Sequence, residues 1–259
     1  MSTVMTPVLL FVLFISLSAI PPGATDNGER QEFLDASDII ERANANITTR
    51  LVDGDIVPNL RRNADPCTAT GCKWPKYGRY VYVPIYISNR YTTTERNTII
   101  RALLTFHAST CIRFVSRGTQ RNYLYFYSGS GCWSYLGRQR RGQLVSLQKN
   151  GCVYKSTVQH EVLHALGFNH EQVRSDRDRY ISILYQNIKP GRESNFMKKQ
   201  TNNLGTPYDF DSIMHYGKYA FSKNSQPTIL AKSNLCLNFG TAGTMSKNDI
   251  ARVNKLYRC

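Results

Sequence analysis

Apolar side chains recur along this chain in short, separable stretches. Tyr80 to Ile87 is rich in β-branched and aromatic residues and predicts a strand. Pro84 within it lacks a ladder donor, which points to an edge position or a bulge. Thr92 and Glu95 form a capping box, and Ile99, Leu103 and Phe106 follow at helical spacing. Tyr123 to Tyr127 and Leu144 to Leu147 are further strands by composition. Ser37 to Ala45 reads as a helix. Ser246 with Asp249 caps a last one, with Ile250, Val253 and Tyr257 on its apolar face. No internal repeat is visible. Strands come early and a helix closes the chain, so the expected fold class is α+β.

The first residues follow another pattern. Val8 to Ile15 is an unbroken apolar run, followed by small residues at Ser16, Ser18, Ala19, Gly23 and Ala24. The run is too short to span a bilayer and reads as a secretory signal peptide over 1–24, ending at residue 19 or 24. Residues 26–50 are polar, and the segment 25–62 closes on the dibasic pair Arg61-Arg62. That segment reads as a propeptide removed before Asn63, which leaves one domain at 63–259. Asn46-Ile47-Thr48 is a glycosylation sequon, usable in a secreted chain.

Charge supports that division. Residues 1–62 hold five basic and eight acidic side chains, a net of −3; residues 63–259 hold 28 and ten, a net of +18. An acidic leader ahead of a basic body suggests that the two interact. The basic body suggests an acidic partner, whether nucleic acid, glycan, anionic membrane or acidic protein, although a charge excess alone reads first as a solvated basic surface. Tyr and Arg interleave around Arg121 to Tyr127 without a nucleic-acid motif, so nucleic acid is not the expected partner; no apolar run after the first 20 residues is long enough to cross a bilayer, and a membrane is not expected either. With 41% hydrophobic residues and only 27 Gly and Pro in 259, the chain is globular rather than collagen-like or low-complexity. Seven cysteines are many for a cytosolic chain of this length and suit disulfides outside the cell.

Candidate chemistry is concentrated at 160–171, His-Glu-Val-Leu-His-Ala-Leu-Gly-Phe-Asn-His-Glu. On a helix, four residues advance about 400°, so His160 and His164 share a face one turn apart and can hold one metal ion. Glu161 lies beside them, placed to reach a water rather than the metal. Gly167 permits the positive φ that ends the helix and turns His170 back as a third ligand. Three neutral imidazoles leave one tetrahedral position of a zinc ion open, the mark of a catalytic site. The chain has five histidines, and three stand in this motif. His107 reads as a helix-end or partly buried residue.

This motif, together with Ser212-Ile213-Met214-His215-Tyr216, resembles the astacin family of metzincin zinc endopeptidases. The resemblance covers essentially all of 63–259. Cys111-Ile112-Arg113-Phe114-Val115, Gly131-Cys132-Trp133-Ser134-Tyr135 and Arg174-Ser175-Asp176-Arg177-Asp178 support it. Within the family the chain is most similar to fish hatching enzymes and related six-cysteine members, because of the extra pair Cys67 and Cys72. The resemblance implies a twisted mixed sheet with an active-site helix, and a C-terminal irregular subdomain ending in a helix, with a cleft between. It implies one Zn2+ per chain on His160, His164 and His170, Met214 as an apolar floor beneath them, and Tyr216 as an oxyanion-stabilising phenol. Asp55, in Leu51-Val52-Asp53-Gly54-Asp55-Ile56, matches the propeptide latency motif and would occupy the water position in the zymogen. Cleavage by an activating protease between Arg62 and Asn63 would free an α-amino group to pair with Glu171. The implied disulfides are Cys67–Cys72, Cys111–Cys259 and Cys132–Cys152. Cys236 is left over, as a buried free thiol, an intermolecular bridge or a sign of another pairing.

The expected activity is peptide hydrolysis with Glu161 as general base. The strand at Leu144 to Leu147 would pair with an extended substrate, if it lies at the sheet edge. The resemblance to hatching enzymes implies an acidic egg-envelope glycoprotein as substrate. The enzyme would be a secreted monomer, with storage in secretory granules before release as a further expectation. A digestive, defensive or tissue-remodelling astacin is the alternative enzyme, and a basic matrix-binding protein without activity is the alternative class.

Overall fold

A computed structural model of the chain describes residues 35–58 and 72–259. The signal peptide, the Arg61-Arg62 site, Asn63 and Cys67 lie outside the described residues. The described residues belong to one unit. Strands β1 (Ile56–Val57), β2 (Lys76–Tyr77), β3 (Tyr80–Ile87), β4 (Ile112–Ser116), β5 (Tyr123–Tyr127), β6 (Cys132–Tyr135) and β7 (Gly142–Leu147) form one mixed sheet. Its order is β1-β6-β7-β5-β3-β2, with β4 also paired to β3. β3, β5 and β7 run parallel, and β6 is antiparallel to β7.

Pro84 is not at an edge. β3 pairs with β4 from Val81 to Ile85 and with β5 only from Ile85 onward. The Val81 N–H donates toward β4 and the Ser88 N–H toward β5, so even-numbered donors face β5. The donor that Pro84 lacks would point there one step before pairing starts, and no ladder bond is lost. The edge expectation for Leu144 to Leu147 also fails. β7 is internal, and in the 72–259 part the corresponding edge is β6, against which β1 is laid.

Helices α1 (Ala36–Asn44), α2 (Thr93–Ser109), α3 (Lys155–Leu166) and α4 (Lys247–Tyr257) complete the framework. Both capping boxes form: Thr92 with Glu95 starts α2, and Ser246 with Asp249 starts α4. The principal core joins Val81, Val83, Leu124 and Phe126 of the sheet to Ile99 and Phe106 of α2 and Val158 and Val162 of α3. A second core, with Ile181, Phe196, Tyr216, Phe221 and Phe239, organises the C-terminal half. That half has little regular structure beyond the two-stranded sheet of β8 (Ile181–Ile183) and β9 (Ile229–Ala231) and the closing α4.

Cys111 is bonded to Cys259 and Cys132 to Cys152. The first bond closes a span of 148 residues, worth on the order of 5 kcal/mol in the chain-entropy model. Cys72 is disulfide-bonded. Cys236 is a free thiol and exposed rather than buried. Asn46 is exposed in the turn after α1.

Candidate active site

α3 is buried along its length, from Ser156 to Leu166. It ends where Gly167 takes φ 109°, with the Gly167 N–H donating to the His164 carbonyl and the Phe168 N–H to Leu163. This is a Schellman turn, and the positive φ is why glycine stands there. The chain then doubles back and brings His170 to the two helical histidines.

The three Nε2 atoms converge. His160 Nε2 lies 3.1 Å from His164 Nε2 and 3.2 Å from His170 Nε2. His160 Nδ1 is 2.8 Å from the Ile213 carbonyl, and His164 Nδ1 is 2.7 Å from the Phe168 carbonyl. Each Nδ1–H donates there, which leaves Nε2 as a lone pair aimed inward. Burial lowers the His170 imidazole to about 3, against the opposing pull of the Asp55 carboxylate.

Asp55 closes the cluster. Its Oδ2 is 2.9 Å from His160 Nε2 and 3.2 Å from His170 Nε2, and its Oδ1 is 3.3 Å from His164 Nε2. Burial pushes this carboxyl up, but the imidazoles of His170, His164 and His160 outweigh it and hold it well below its usual range. Gly54 before it has φ +84°, and a Cβ there would stand 2.8 Å from the Tyr216 hydroxyl. The segment can reach the histidines only with glycine at that step.

The donor set fits a zinc ion. Ligand atoms of Asp55, His160, His164 and His170 all lie within 4.8 Å of one another, and all four residues are buried. Zn–N bonds of about 2.0–2.1 Å in a tetrahedron set nitrogens about 3.3 Å apart, close to the spacing seen. Facing lone pairs repel unless a cation lies between them. Both carboxylate oxygens of Glu161 are buried without a hydrogen-bond partner, an orphan that a water on the metal would satisfy. Burial, with the Asp55 charge added, holds the Glu161 carboxyl well above its usual range.

Residues 69–258 match the family model for astacin, a peptidase family. The chain belongs to the astacin family. It is a zinc metalloendopeptidase. It is 42% identical to the low choriolytic enzyme of Oryzias latipes over 263 residues, covering 96% of this chain and 97% of that one. High choriolytic enzyme 1 of the same fish is also 42% identical, covering 97% of this chain and 96% of the relative. The solved structure of high choriolytic enzyme 1, a hatching enzyme zinc-protease, superposes with a TM-score of 0.73 at 44% identity, over 76% of this chain and all of that one.

Other astacin positions fall around the metal site. Met214 is buried, and its carbonyl accepts from the Glu171 N–H at 2.9 Å. The Tyr216 ring centroid is 4.7 Å from that of His170, but its hydroxyl donates to the Asp53 carbonyl at 2.5 Å. Burial raises this phenol well above its usual range, so it remains a donor. Glu171 is fully engaged: Arg252 Nη1 and Nη2 donate to it at 2.5 and 2.7 Å, and the Asp209 N–H at 2.8 Å. His107 ends α2, half-buried, where its Nε2 accepts from the Phe114 N–H at 2.7 Å.

Two residues around the site escaped sequence reading. Asp249 reads as a helix cap, and it also accepts from Ser212 Oγ at 2.6 Å and the Ile213 N–H at 3.0 Å. Ile213 is the residue whose carbonyl orients His160. Arg252 carried no local signal, because its burial beside Glu171 depends on contacts 81 residues apart in the chain.

Proposed function

We propose that the chain is made as a secreted zymogen and, once processed, digests egg-envelope protein. The observation that carries latency is the Asp55 carboxylate lodged among the three histidines. Around it, the 35–58 segment has several further anchors. Asn44 bridges the main chain of Cys132, donating to its carbonyl at 2.7 Å and accepting from its N–H at 2.8 Å. Glu41 accepts from the Phe221 N–H at 2.8 Å and pairs with Lys189 at 3.1 Å. Asp53 pairs with Lys199. β1 lies parallel along β6, on the edge that an extended substrate would use. Removal of 25–62 by cleavage after Arg62 exposes both metal site and edge, leaving a monomeric domain that begins at Asn63.

Zinc, when bound, supplies Lewis acidity and lowers the pKa of water toward about 7. Glu161, desolvated and unpartnered, takes the proton of the attacking water and delivers it to the leaving amine. The Tyr216 hydroxyl, released from Asp53 with the segment, donates to the oxygen that gains charge. A released α-amino group at Asn63 joins Arg252, Arg174 and the Asp209 N–H around the Glu171 carboxylate.

The substrate reading rests on similarity to two choriolytic enzymes over nearly the whole chain and on the basic charge of 63–259. Incubation of the processed chain with isolated egg envelope, with and without chelator, tests it. Solubilisation that chelator stops and zinc restores is expected. An intact envelope, with short peptides still cut, rejects the substrate and leaves the peptidase standing.

A further inference from the structure

The sheet has two unlike faces. Val81, Val83, Leu124, Phe126, Val145 and Leu147 point into the core and are fully buried. Between them, on the other face, stand Tyr82 and Tyr86 of β3, Tyr125 and Tyr127 of β5, and Trp133 and Tyr135 of β6. Tyr82 and Tyr86 are 40% and 45% exposed. A sheet face turned to water usually alternates to polar side chains; this one carries a run of rings, half-buried at Tyr125, Tyr127 and Tyr135 and buried at Trp133. Centroids are 5.2 Å apart from Tyr86 to Tyr125, 5.8 Å to Tyr127, 5.9 Å to Trp133 and 6.4 Å to Tyr135. The run ends on β6, the strand along which β1 is laid.

The strand between β5 and β6 makes room for these rings. Ser146 of β7 lies in register with both Tyr127 and Trp133, and Gly142 with Tyr123. A Cβ at Gly142 would sit 2.5 Å from the Tyr123 ring, and one at Gly129 2.6 Å from the Tyr127 hydroxyl. Small residues let the rings lie across the strands. A ring lying on backbone turns its other face outward, and such faces accept a stacked group: the Arg117 guanidinium lies 3.7 Å over the Tyr123 ring. Arg113 lies 4.3 Å from the Tyr80 centroid.

The segment that carries this face is one-sided in charge, and Arg79, Arg113 and Arg117 from it lie over the Tyr80 and Tyr123 rings. Residues 72–147 contain twelve Lys and Arg and a single acidic residue, Glu95, which is engaged by Thr92 and Lys149. We propose that this face docks an acidic glycan. Sugar rings stack on the tyrosine faces, phenol hydroxyls meet sugar hydroxyls, and arginines pair with sulfate or carboxylate groups. An acidic peptide would instead seek main-chain bonds at a sheet edge, and this is the flat of the sheet. The inference does not depend on which protein the enzyme cuts, and its test reads binding alone.

The full-length chain is titrated with heparin, polyglutamate and oligothymidine. Heparin is expected to bind at least tenfold more tightly than either of the others. Tyr86→Ser with Tyr125→Ser should weaken heparin binding at least tenfold. Tyr86→Phe with Tyr125→Phe, which keeps the rings, should stay within threefold. A footprint on the unaltered chain keeps the test open if the serine variant fails to fold: bound heparin should slow iodination of Tyr86 and Tyr125 at least fivefold. Serine variants that fold and bind heparin as tightly as wild type, a polyglutamate or oligothymidine affinity equal to heparin's, or iodination that heparin leaves unchanged would each overturn the proposal.

Discussion

Replacing Asp55 by alanine isolates the switch, because the residue belongs to the precursor alone in the proposed scheme. Its carboxylate contacts three imidazoles at 2.9, 3.2 and 3.3 Å and is almost fully buried. Truncating one partner of a buried, hydrogen-bonded charged contact costs about 2–5 kcal/mol. At about 1.4 kcal/mol per factor of ten, the seal over the histidines weakens about 30-fold to several thousand-fold. The remaining anchors at Asn44, Glu41 and β1 hold the segment nearby, so the variant precursor should leak rather than become fully active. The assay compares hydrolysis of a short fluorogenic peptide by two precursors, both carrying Arg61→Gln and Arg62→Gln to prevent processing. At least a tenfold rise in kcat/KM is expected for Asp55→Ala. With the dibasic pair restored and the segment removed, the two chains become identical and must match. A variant precursor as silent as the wild type refutes the reasoning, and latency would then lie in steric cover by α1 and β1.

Other outcomes follow from the same geometry. Glu161→Gln should retain one zinc per chain by elemental analysis and lose about 10²–10⁴-fold in turnover, the usual span for a general base; activity within tenfold of wild type removes Glu161 from proton transfer. Asn44→Ala strips partners from the Cys132 main chain and should lower precursor stability by about 1–3 kcal/mol in denaturant titrations, leaving the processed form unchanged. His215 is buried, which lowers its pKa from 6.5 to about 4. Its neutral form is therefore favoured in the folded state, a contribution complete above about pH 6.5 and lost as pH falls toward 4, worth ~3 kcal/mol. Denaturant titrations at pH 7 and 4 should show wild type losing more stability than His215→Phe, and equal losses would assign acid sensitivity elsewhere.

Local signals carried well from sequence to structure. Thr92 with Glu95 and Ser246 with Asp249 are caps made by neighbours three residues apart, so their helices were legible without the rest of the fold. Tyr80–Ile87 and Tyr123–Tyr127 were legible because an aromatic and β-branched run has few other places to go. β6 was not read as a strand, since Cys132 to Tyr135 is four residues with three buried and shows no alternation. Missing it placed the open edge one strand too far in. β1 is two residues long and exists only because β6 offers an edge. Most of the C-terminal half was illegible for a related reason. Arg177 there donates to the carbonyls of Gln172 and Phe196, and contacts of that kind order a chain without leaving a periodicity.

The site divides in the same way. The imidazoles were readable because one helical turn and one glycine bring them together. What holds them came from far along the chain and was silent. Asp249 and Arg252 lie one turn apart on α4. The first fixes Ser212 and Ile213, and through the Ile213 carbonyl the ring of His160; the second fixes Glu171, next to His170. α4 ends at Tyr257, two residues before Cys259, which is tied to Cys111 just ahead of β4. One short helix therefore braces two of the three metal ligands without contributing a ligand. Loosening its C-terminal tie, by Cys259→Ser, should weaken zinc retention although every ligand is intact. A variant that melts earlier yet keeps zinc as tightly as wild type would show that the ligands hold their geometry without α4.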